Sequence, residues 1–385
     1  MESKHFTDRV LLVDDQRIIG EAVRRMLASI EGLEYRAVDN PSEALAVARA
    51  FAPTLILQDL VMPGVDGLDL VRAYRADELT KDVPIVVLSS KEEAATKAEA
   101  FARGANDYIV KLPDPVELVA RVVHHSRGYK ALLERNAAYS ALKESEARLS
   151  GEIQKASEYV RTLLDPPIEG EVSTGWRFVP SENLGGDVFG YHWIDSDRLA
   201  MFVLDVSGHG VGPALMGVSA MNHIRSVATD IDRACDPSRV LLALNASFPM
   251  ARHHGMYFTV WYGVYTKSTR ELLWSGGGHP PALLVRDGVA QRLESTSYMV
   301  GVTDDYDAPN ERVQLLSGDR LYLYSDGVFE IHLPTGSMWD FEDFVDFFVR
   351  TSENQRLDDL MTHTQALQGK PSWDDDYSMI ELRFA

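Results

Sequence analysis

The sequence predicts two folded domains joined by one long helix. A doubly wound α/β domain spans residues 5–127, a helical linker 128–167 and an α+β sandwich 168–385. Three observations carry this. In the first third of the chain, five short apolar runs alternate with helical patterns, the mark of a parallel sheet with helices on both faces. From Pro115 to about Leu164 there is no further proline, and apolar residues recur at alternating spacings of three and four. From Trp176 onward, strand-like runs bounded by turn residues are interrupted by two helix pairs.

Composition narrows the function classes. The chain of 385 residues is 45% hydrophobic and 25% charged, ordinary for a soluble globular protein of two or three domains. No apolar run approaches the ~20 residues of a membrane span. The N-terminal MESKHFTDRV lacks the apolar core of a signal peptide. Cys235 is the one cysteine, so no intramolecular disulfide forms. The expected location is cytoplasmic, with no membrane association. A formal net charge of −20 argues against nucleic acid, whose phosphates require basic patches. Part of that acid is expected to serve as metal ligand.

In the first domain, Val10 to Val13 reads as a buried parallel strand ending in Asp14 and Asp15. Helix follows over Ile18 to Ser29, then strand over Tyr35 to Val38 and helix over Ser42 to Phe51. Leu55 to Leu57 is a strand leading to Asp59, and Leu68 to Tyr74 is helical. Ile85 to Leu88 is a strand leading to Ser89. The helix Glu92 to Arg103 closes at Gly104, a C-cap residue. Tyr108 to Val110 is the fifth strand and leads to Lys111. Open sheets of this kind carry their site at the carboxyl ends of the strands, where these side chains sit. Asp14, Asp15 and Asp59 form a carboxylate cluster that calls for a divalent cation, and oxygen-only ligands suit Mg²⁺. Lys111 supplies a countercharge and Ser89 a hydroxyl. Singly, each acid has a plain explanation as a helix cap; the set together points to a phosphoryl group carried on Asp59.

The motifs LLVDDQ, LILQDLVMPGVDGLDLV, VVLSS and ANDYIVKLPDP resemble a two-component receiver domain over essentially all of residues 5–127. The resemblance implies Asp59 as phosphoacceptor, with Asp14, Asp15 and the Val61 carbonyl binding Mg²⁺. It implies Ser89 and Tyr108 as a switch pair and Lys111 as the phosphate contact. A sensor histidine kinase or phosphotransfer protein is the implied donor. One departure stands out: Leu112 comes between Lys111 and Pro113, where receivers usually have proline directly after the lysine.

Leu132, Arg135, Tyr139, Leu142, Glu146, Leu149, Ile153, Ala156, Val160 and Leu163 form the seam of the long helix, and eight of these ten are apolar. The helix would measure about 75 Å at ~1.5 Å per residue. The pattern predicts a parallel homodimeric coiled coil; a helix packed on its own domain is the plainer alternative.

In the third segment, Trp176 to Pro180, Leu199 to Leu204, Tyr257 to Tyr265, Leu272 to Ser275, Ala282 to Val285, Arg320 to Tyr324 and Ser378 to Arg383 read as strands. The helix pairs are Gly212 to Ala228 with Ser238 to Phe248, and Phe341 to Arg350 with Arg356 to Gln368. Asp187, Asp205 and Asp326 stand in glycine-containing turns, Asp375 lies in Asp374-Asp375-Asp376-Tyr377 just before the last strand, and three of the four flank strands that should be buried. Buried carboxylates so gathered repel unless metal or protons intervene. An oxygen-only site implies Mg²⁺ or Mn²⁺, and two such ions clamp a phosphoryl group and activate water. His209, alone in a glycine loop, reads as structural ahead of ligand or general acid, and His279 as part of a structural turn. Composition does not separate a phosphatase from a nuclease or phosphodiesterase.

The motifs do. LGGDVFG, LDVSGHGVGPAL, FTVWYGVYTKSTRELLWSGGGHPPALL, LSGDRLYLYSDGVFE and DDDYSMIEL resemble, in that order, the metal-dependent PPM serine/threonine protein phosphatases of the SpoIIE type. The resemblance implies an αββα sandwich with two Mn²⁺ or Mg²⁺ ions held by Asp187, Asp205, Asp326, Asp375 and the Val206 carbonyl. Asp376 is the alternative to Asp375, which motif alignment favours. Gly190 stands where many members have a second aspartate. The implied substrate is a STAS-type anti-sigma-factor antagonist. The rival reading is a receiver-controlled adaptor with a catalytically inactive phosphatase fold; the complete aspartate set argues against it.

Overall fold

The computed structural model describes residues 6–181, 184–228, 230–351, 356–370 and 372–385. Residues 1–5, which open the stretch read as lacking a signal peptide, lie outside the described residues. Two compact units divide between Ala147 and Arg148. Among the described residues, no helix is long and apolar enough to cross a membrane.

In the first unit, β1 (Arg9–Val13), β2 (Glu34–Val38), β3 (Leu55–Asp59), β4 (Ile85–Ser89) and β5 (Asp107–Val110) form one parallel sheet in the order β2-β1-β3-β4-β5. Helices α1 (Arg17–Met26), α2 (Ala44–Phe51), α3 (Gly67–Ala76) and α4 (Ala94–Ala102) connect the strands. Val10, Leu12, Leu55 and Leu57 pack against Val23 of α1 on one face, while Leu11, Val13 and Ile56 pack against Ala44, Ala48 and Val71 of α2 and α3 on the other. Burial on both faces is why β1, β3 and β4 read as apolar runs, while the edge strand β2 is largely exposed.

The long helix α5 runs from Pro115 to Thr162. Proline suits its first position, where no N–H is needed, and the Asp114 carboxylate accepts from the Val116 N–H at 2.8 Å as its cap. Leu118 and Val122 anchor the first turns in the sheet core. Farther along, Tyr139, Leu142 and Leu149 of the seam are 69%, 56% and 59% exposed.

The second unit stacks two antiparallel five-stranded sheets. One comprises β7 (Val188–Trp193), β8 (Arg198–Val206), β9 (Phe258–Thr266), β10 (Glu271–Gly277) and β13 (Glu311–Gln314), ordered β13-β10-β9-β8-β7. The other comprises β6 (Val172–Val179), β11 (Ala282–Arg286), β12 (Val289–Leu293), β14 (Arg320–Tyr324) and β15 (Tyr377–Phe384), ordered β12-β11-β14-β15-β6. Met201, Val203, Trp261, Leu321, Leu323 and Ile380 fill the space between the sheets. Alternate residues on β8 and β9, Phe202, Leu204, Val260 and Tyr262, face outward onto α6 (Val211–Val227) and α7 (Pro237–Ser247). Tyr322, Tyr324 and Tyr377 face outward onto α8 (Phe341–Arg350) and α9 (Arg356–Gln368). The period-two alternation of each strand thus separates three cores and yields the expected αββα layering.

Candidate functional site

In the first unit, β1 delivers Asp14 and Asp15 and β3 delivers Asp59, with one carboxylate oxygen of each within 4.8 Å of the others. Asp14 and Asp59 are buried. Lys111, just past β5, places Nζ 2.7 Å from Asp14 and 2.8 Å from Asp59. Burial raises the Asp59 carboxyl above its ordinary range, outweighing the pull of Lys111. Burial likewise opposes the Lys111 charge, but hydrogen bonds to Asp14 and Asp59 outweigh it and hold the ammonium above its usual value. One ammonium does not balance three carboxylates, and Oδ1 of Asp15 is buried without a hydrogen-bond partner. This donor set suits Mg²⁺.

Backbone contacts fix Asp59. The Val61 N–H donates to its Oδ1 at 3.3 Å, and Gln58 Nε2 donates to its carbonyl at 2.8 Å. A Cβ on Gly67 would stand 2.1 Å from that same carbonyl oxygen, so only glycine allows α3 to start there. Ser89 and Tyr108 meet at one backbone position: the Lys91 N–H donates to Ser89 Oγ at 3.2 Å, and the Tyr108 hydroxyl donates to the Lys91 carbonyl at 2.6 Å. Val61 is half exposed beside the cluster. All peptide bonds of the described residues are trans, those flanking Leu112 included, and the Leu112 side chain is exposed.

In the second unit, both sheets end at a cleft of about 390 Å³ lined by Asp205, Asp326, Asp374 and Asp375 together with Val206, His209, Tyr257, Thr259 and others. Asp205 lies on the inter-sheet face of β8, in step with Met201 and Val203. Asp326 follows β14 and Asp375 precedes β15. Asp187, before β7, does not line the cleft: it is 1% exposed and lies next to Asp205. Ser378 Oγ donates to its Oδ2, and its Oδ1 has no hydrogen-bond partner.

The electrostatics follow from this crowding. Burial, then the charges of Asp205 and Asp376, drives the Asp187 carboxyl well above the carboxylate range. Burial, then Asp326 and Asp375, does the same to Asp205. Burial also raises Asp375, and burial with the Asp375 charge pushes Asp326 up to about 6. A buried carboxylate with an unmet oxygen, beside three more whose ionisation is suppressed, is a set of donors that a hard divalent cation satisfies.

Asp375 and Asp376 differ sharply. The Asp376 carboxylate accepts from the Ser181 N–H at 2.8 Å, the Ser181 hydroxyl at 3.0 Å and the Asp187 N–H at 3.3 Å. A Cβ on Gly185 would stand 2.0 Å from it. Asp376 therefore braces the loop that carries Asp187, while Asp375 turns to the cleft. His209 is exposed at the cleft wall. Sequence reading passed over Thr259, Ser378 and the bracing role of Asp376; strand register, which brings Thr259 opposite Asp205, is the signal that finds the first.

Neutralising Asp326 gives a test of this crowding. A carboxyl whose folded pKa exceeds its unfolded value binds more protons when folded, so metal-free stability falls as pH rises from 3.8 to about 6. With chelator present, Asp326→Asn is expected to be more stable than the parent at pH 7 by on the order of 1–3 kcal/mol. The gain should vanish below about pH 4, with denaturant melts at both pH values as the measurement. An unchanged melt at pH 7 would mean that the carboxylate is not under strain.

Residues 195–385 match the family Stage II sporulation protein E (SpoIIE), and residues 10–123 match the response regulator receiver domain. The chain joins a receiver domain to a SpoIIE phosphatase domain. The receiver is 40% identical over 126 residues to the phosphate regulon transcriptional regulatory protein PhoB of Pseudomonas aeruginosa, covering 33% of this chain and 52% of that protein. Phosphoserine phosphatase RsbP of Bacillus subtilis is 30% identical over 202 residues, covering 51% of this chain and 47% of that one. The chain spans about half the length of the curated relatives it matches. In fold, the phosphatase domain resembles the SiaA-PP2C domain of Pseudomonas aeruginosa, with a TM-score of 0.55 at 20% identity, over 63% of this chain and 99% of that one. The missing second aspartate of the phosphatase domain has a physical counterpart. A Cβ on Gly190 would stand 2.8 Å from the Phe202 ring and 3.0 Å from Asp165 Oδ2, so the place is already filled.

Proposed function

We propose that this chain is a response regulator in which phosphorylation of Asp59 controls metal-dependent hydrolysis of phosphoserine or phosphothreonine in a protein substrate. The observation that carries the reading is the convergence of Asp205, Asp326 and Asp375 on one cleft, with Asp187 buried behind them and one of its oxygens unmet. Asp187, Asp205, Asp326, Asp375 and the Val206 carbonyl would hold two Mn²⁺ or Mg²⁺ ions. When bound, such ions polarise the phosphoryl oxygens and lower the pKa of water. Asp375 is the fourth acid in preference to Asp376, whose carboxylate is committed to Ser181 and Asp187. The chain's own contribution is to fix these carboxylates at the ends of two rigid sheets, so that little reorganisation accompanies reaction.

In the receiver, Asp14, Asp15 and the Val61 carbonyl would hold Mg²⁺ and Lys111 would contact the phosphoryl group on Asp59, with Ser89 and Tyr108 as the switch pair. The donor would be a sensor histidine kinase or phosphotransfer protein. The likeness to SpoIIE-type phosphatases favours a STAS-type anti-sigma-factor antagonist as substrate and the cytoplasm as the setting. Exposed seam residues on α5 favour a homodimer. Residues 128–167 act as linker between the receiver at 5–127 and the phosphatase domain at 168–385.

Steady-state phosphate release from a phosphoserine protein tests the output. An inert chain carrying bound Mn²⁺ would favour the adaptor reading. For the input, acetyl phosphate with Mg²⁺ is expected to label the chain with an acid-labile phosphoryl group, and Asp59→Asn and Asp59→Ala are expected to abolish labelling. A label that survives either change, or that is stable to acid, would place the phosphoryl group elsewhere.

A further inference from the structure

Thr259, part-buried at the cleft wall, and the buried His279 form a relay that the metal-binding acids do not account for. Thr259 is the cross-strand partner of Asp205 in the β8–β9 pair. Both residues line the cleft. His279 follows β10 and is 4% exposed. Its Nε2 lies 2.9 Å from the Tyr324 carbonyl oxygen, and its Nδ1 lies 2.7 Å from Thr259 Oγ1.

The direction of each bond is forced. A carbonyl only accepts, so Nε2 carries the hydrogen. Burial drives the His279 pKa down to about 4, so the ring is neutral near pH 7 and holds a single proton. Nδ1 is then an acceptor, and the Thr259 hydroxyl must donate to it. A hydroxyl has one hydrogen. With that hydrogen committed to His279, Oγ1 offers only lone pairs to the cleft. Dianionic phosphoryl oxygens are acceptors as well, so this oxygen disfavours them and favours a donor.

We infer that Thr259 orients the attacking water beside Asp205 and that His279 is the positioning residue that fixes Thr259 as an acceptor. The inference rests on the hydrolase reading above and deepens it. In the reaction the water oxygen bonds to phosphorus and the bond from phosphorus to the seryl oxygen breaks, its electron pair going to that oxygen. One water proton ends on the seryl oxygen, and the other stays with the released phosphate. Thr259 takes no proton: it holds one O–H of the water, which turns an oxygen lone pair toward phosphorus.

The full-length chain tests this with Thr259→Val, which keeps the shape and removes the hydroxyl, and Thr259→Ser, which restores it. The expected result for Thr259→Val is a fall in kcat of about 10- to 100-fold, the scale of a misoriented nucleophile, with little change in KM. Thr259→Ser should recover most of the loss, and thermal melts should show both variants folded. Independently of activity, ¹⁵N NMR of the metal-free chain should report the Nε2–H tautomer of His279 and a shifted Nδ1 resonance in Thr259→Val. An active parent with an unchanged kcat in Thr259→Val, or an Nδ1–H tautomer in the parent, overturns the inference and leaves the hydrolase reading standing. A parent that releases no phosphate overturns that reading, and this inference with it.

Discussion

Asp187→Asn and Asp326→Asn are each expected to lower Mn²⁺-dependent phosphate release more than a hundredfold while leaving the fold intact. Both residues are placed by strand ends rather than by apolar packing, and on the proposal above each would contribute a charge that bound cations require. Loss of one key electrostatic group costs on the order of 2.7–4 kcal/mol in the transition state, which is the hundredfold or more expected here. The fold should survive because asparagine keeps the shape and relieves repulsion: Asp187 and Asp326 are both raised by burial and by neighbouring carboxylates. Asp187 is the sharper case. Ser378 Oγ and its own backbone N–H, which donates to Asp376, hold it whether or not it is charged. Rates and melts on the same preparations separate the two effects. Near-normal turnover in Asp187→Asn would remove this residue from the metal centre, and a collapsed melt would make it structural.

The two domains differed in how openly the sequence displayed them. The inner receiver strands β1, β3 and β4 are buried on both faces, so each is a short apolar run whose end marks a site residue, whereas the edge strand β2 is largely exposed and marks none. The central phosphatase strands are likewise buried on both faces and were found, and those missed have weaker patterns. β12 and β13 lie at sheet edges and are largely exposed, and β7 is broken by Gly190. The acids Asp187, Asp205 and Asp326 were legible because glycines lie close to them in the turns at strand ends, and Asp375 because it lies in an aspartate run just before the last strand. Asp374, Asp375 and Asp376 are chemically identical in sequence, and only the hydrogen bonds from Ser181 and Asp187 tell Asp376 from its neighbour. The relay from Thr259 through His279 to Tyr324 joins three separate strand regions and leaves no local sequence signal.

Phosphorylation of Asp59 is expected to change the phosphatase rate through α5. Within the phosphatase unit, the foot of this helix grips the two elements that follow Asp187 and the Asp205 loop. Leu164 enters the inter-sheet core and Leu163 packs with the α6 side of the sandwich. Arg225, near the end of α6, donates to the Leu163 carbonyl at 2.8 Å and to Asp165 at 3.0 Å. The Tyr191 hydroxyl of β7 donates to the Asp165 carbonyl at 3.1 Å. Because α6 begins beyond the Asp205 loop and β7 begins just beyond Asp187, movement of the foot bears on both. Coupling between distant sites requires an element whose states both ends bias. The seam of α5 is suited to that role: Leu142 and Leu149 are exposed, and in the proposed homodimer Arg135 and Glu146 at core positions would weaken the pairing and keep it adjustable. We therefore expect phosphorylation to shift dimerisation or register of α5, with activation as the expected sign and a size on the order of the 5- to 150-fold typical of allosteric coupling.

The most direct measurement is the rate of phosphate release from a phosphoserine protein, with and without acetyl phosphate, read beside mass in solution. It is made on the parent chain and on the doubly substituted Leu142→Glu, Leu149→Glu chain. The parent is expected to be dimeric and to change rate on phosphorylation, and the substituted chain to be monomeric and to have lost that change. A monomeric chain that keeps the full phosphorylation-dependent change would contradict this: α5 would then be a passive tether, and control would reach the phosphatase domain by another route.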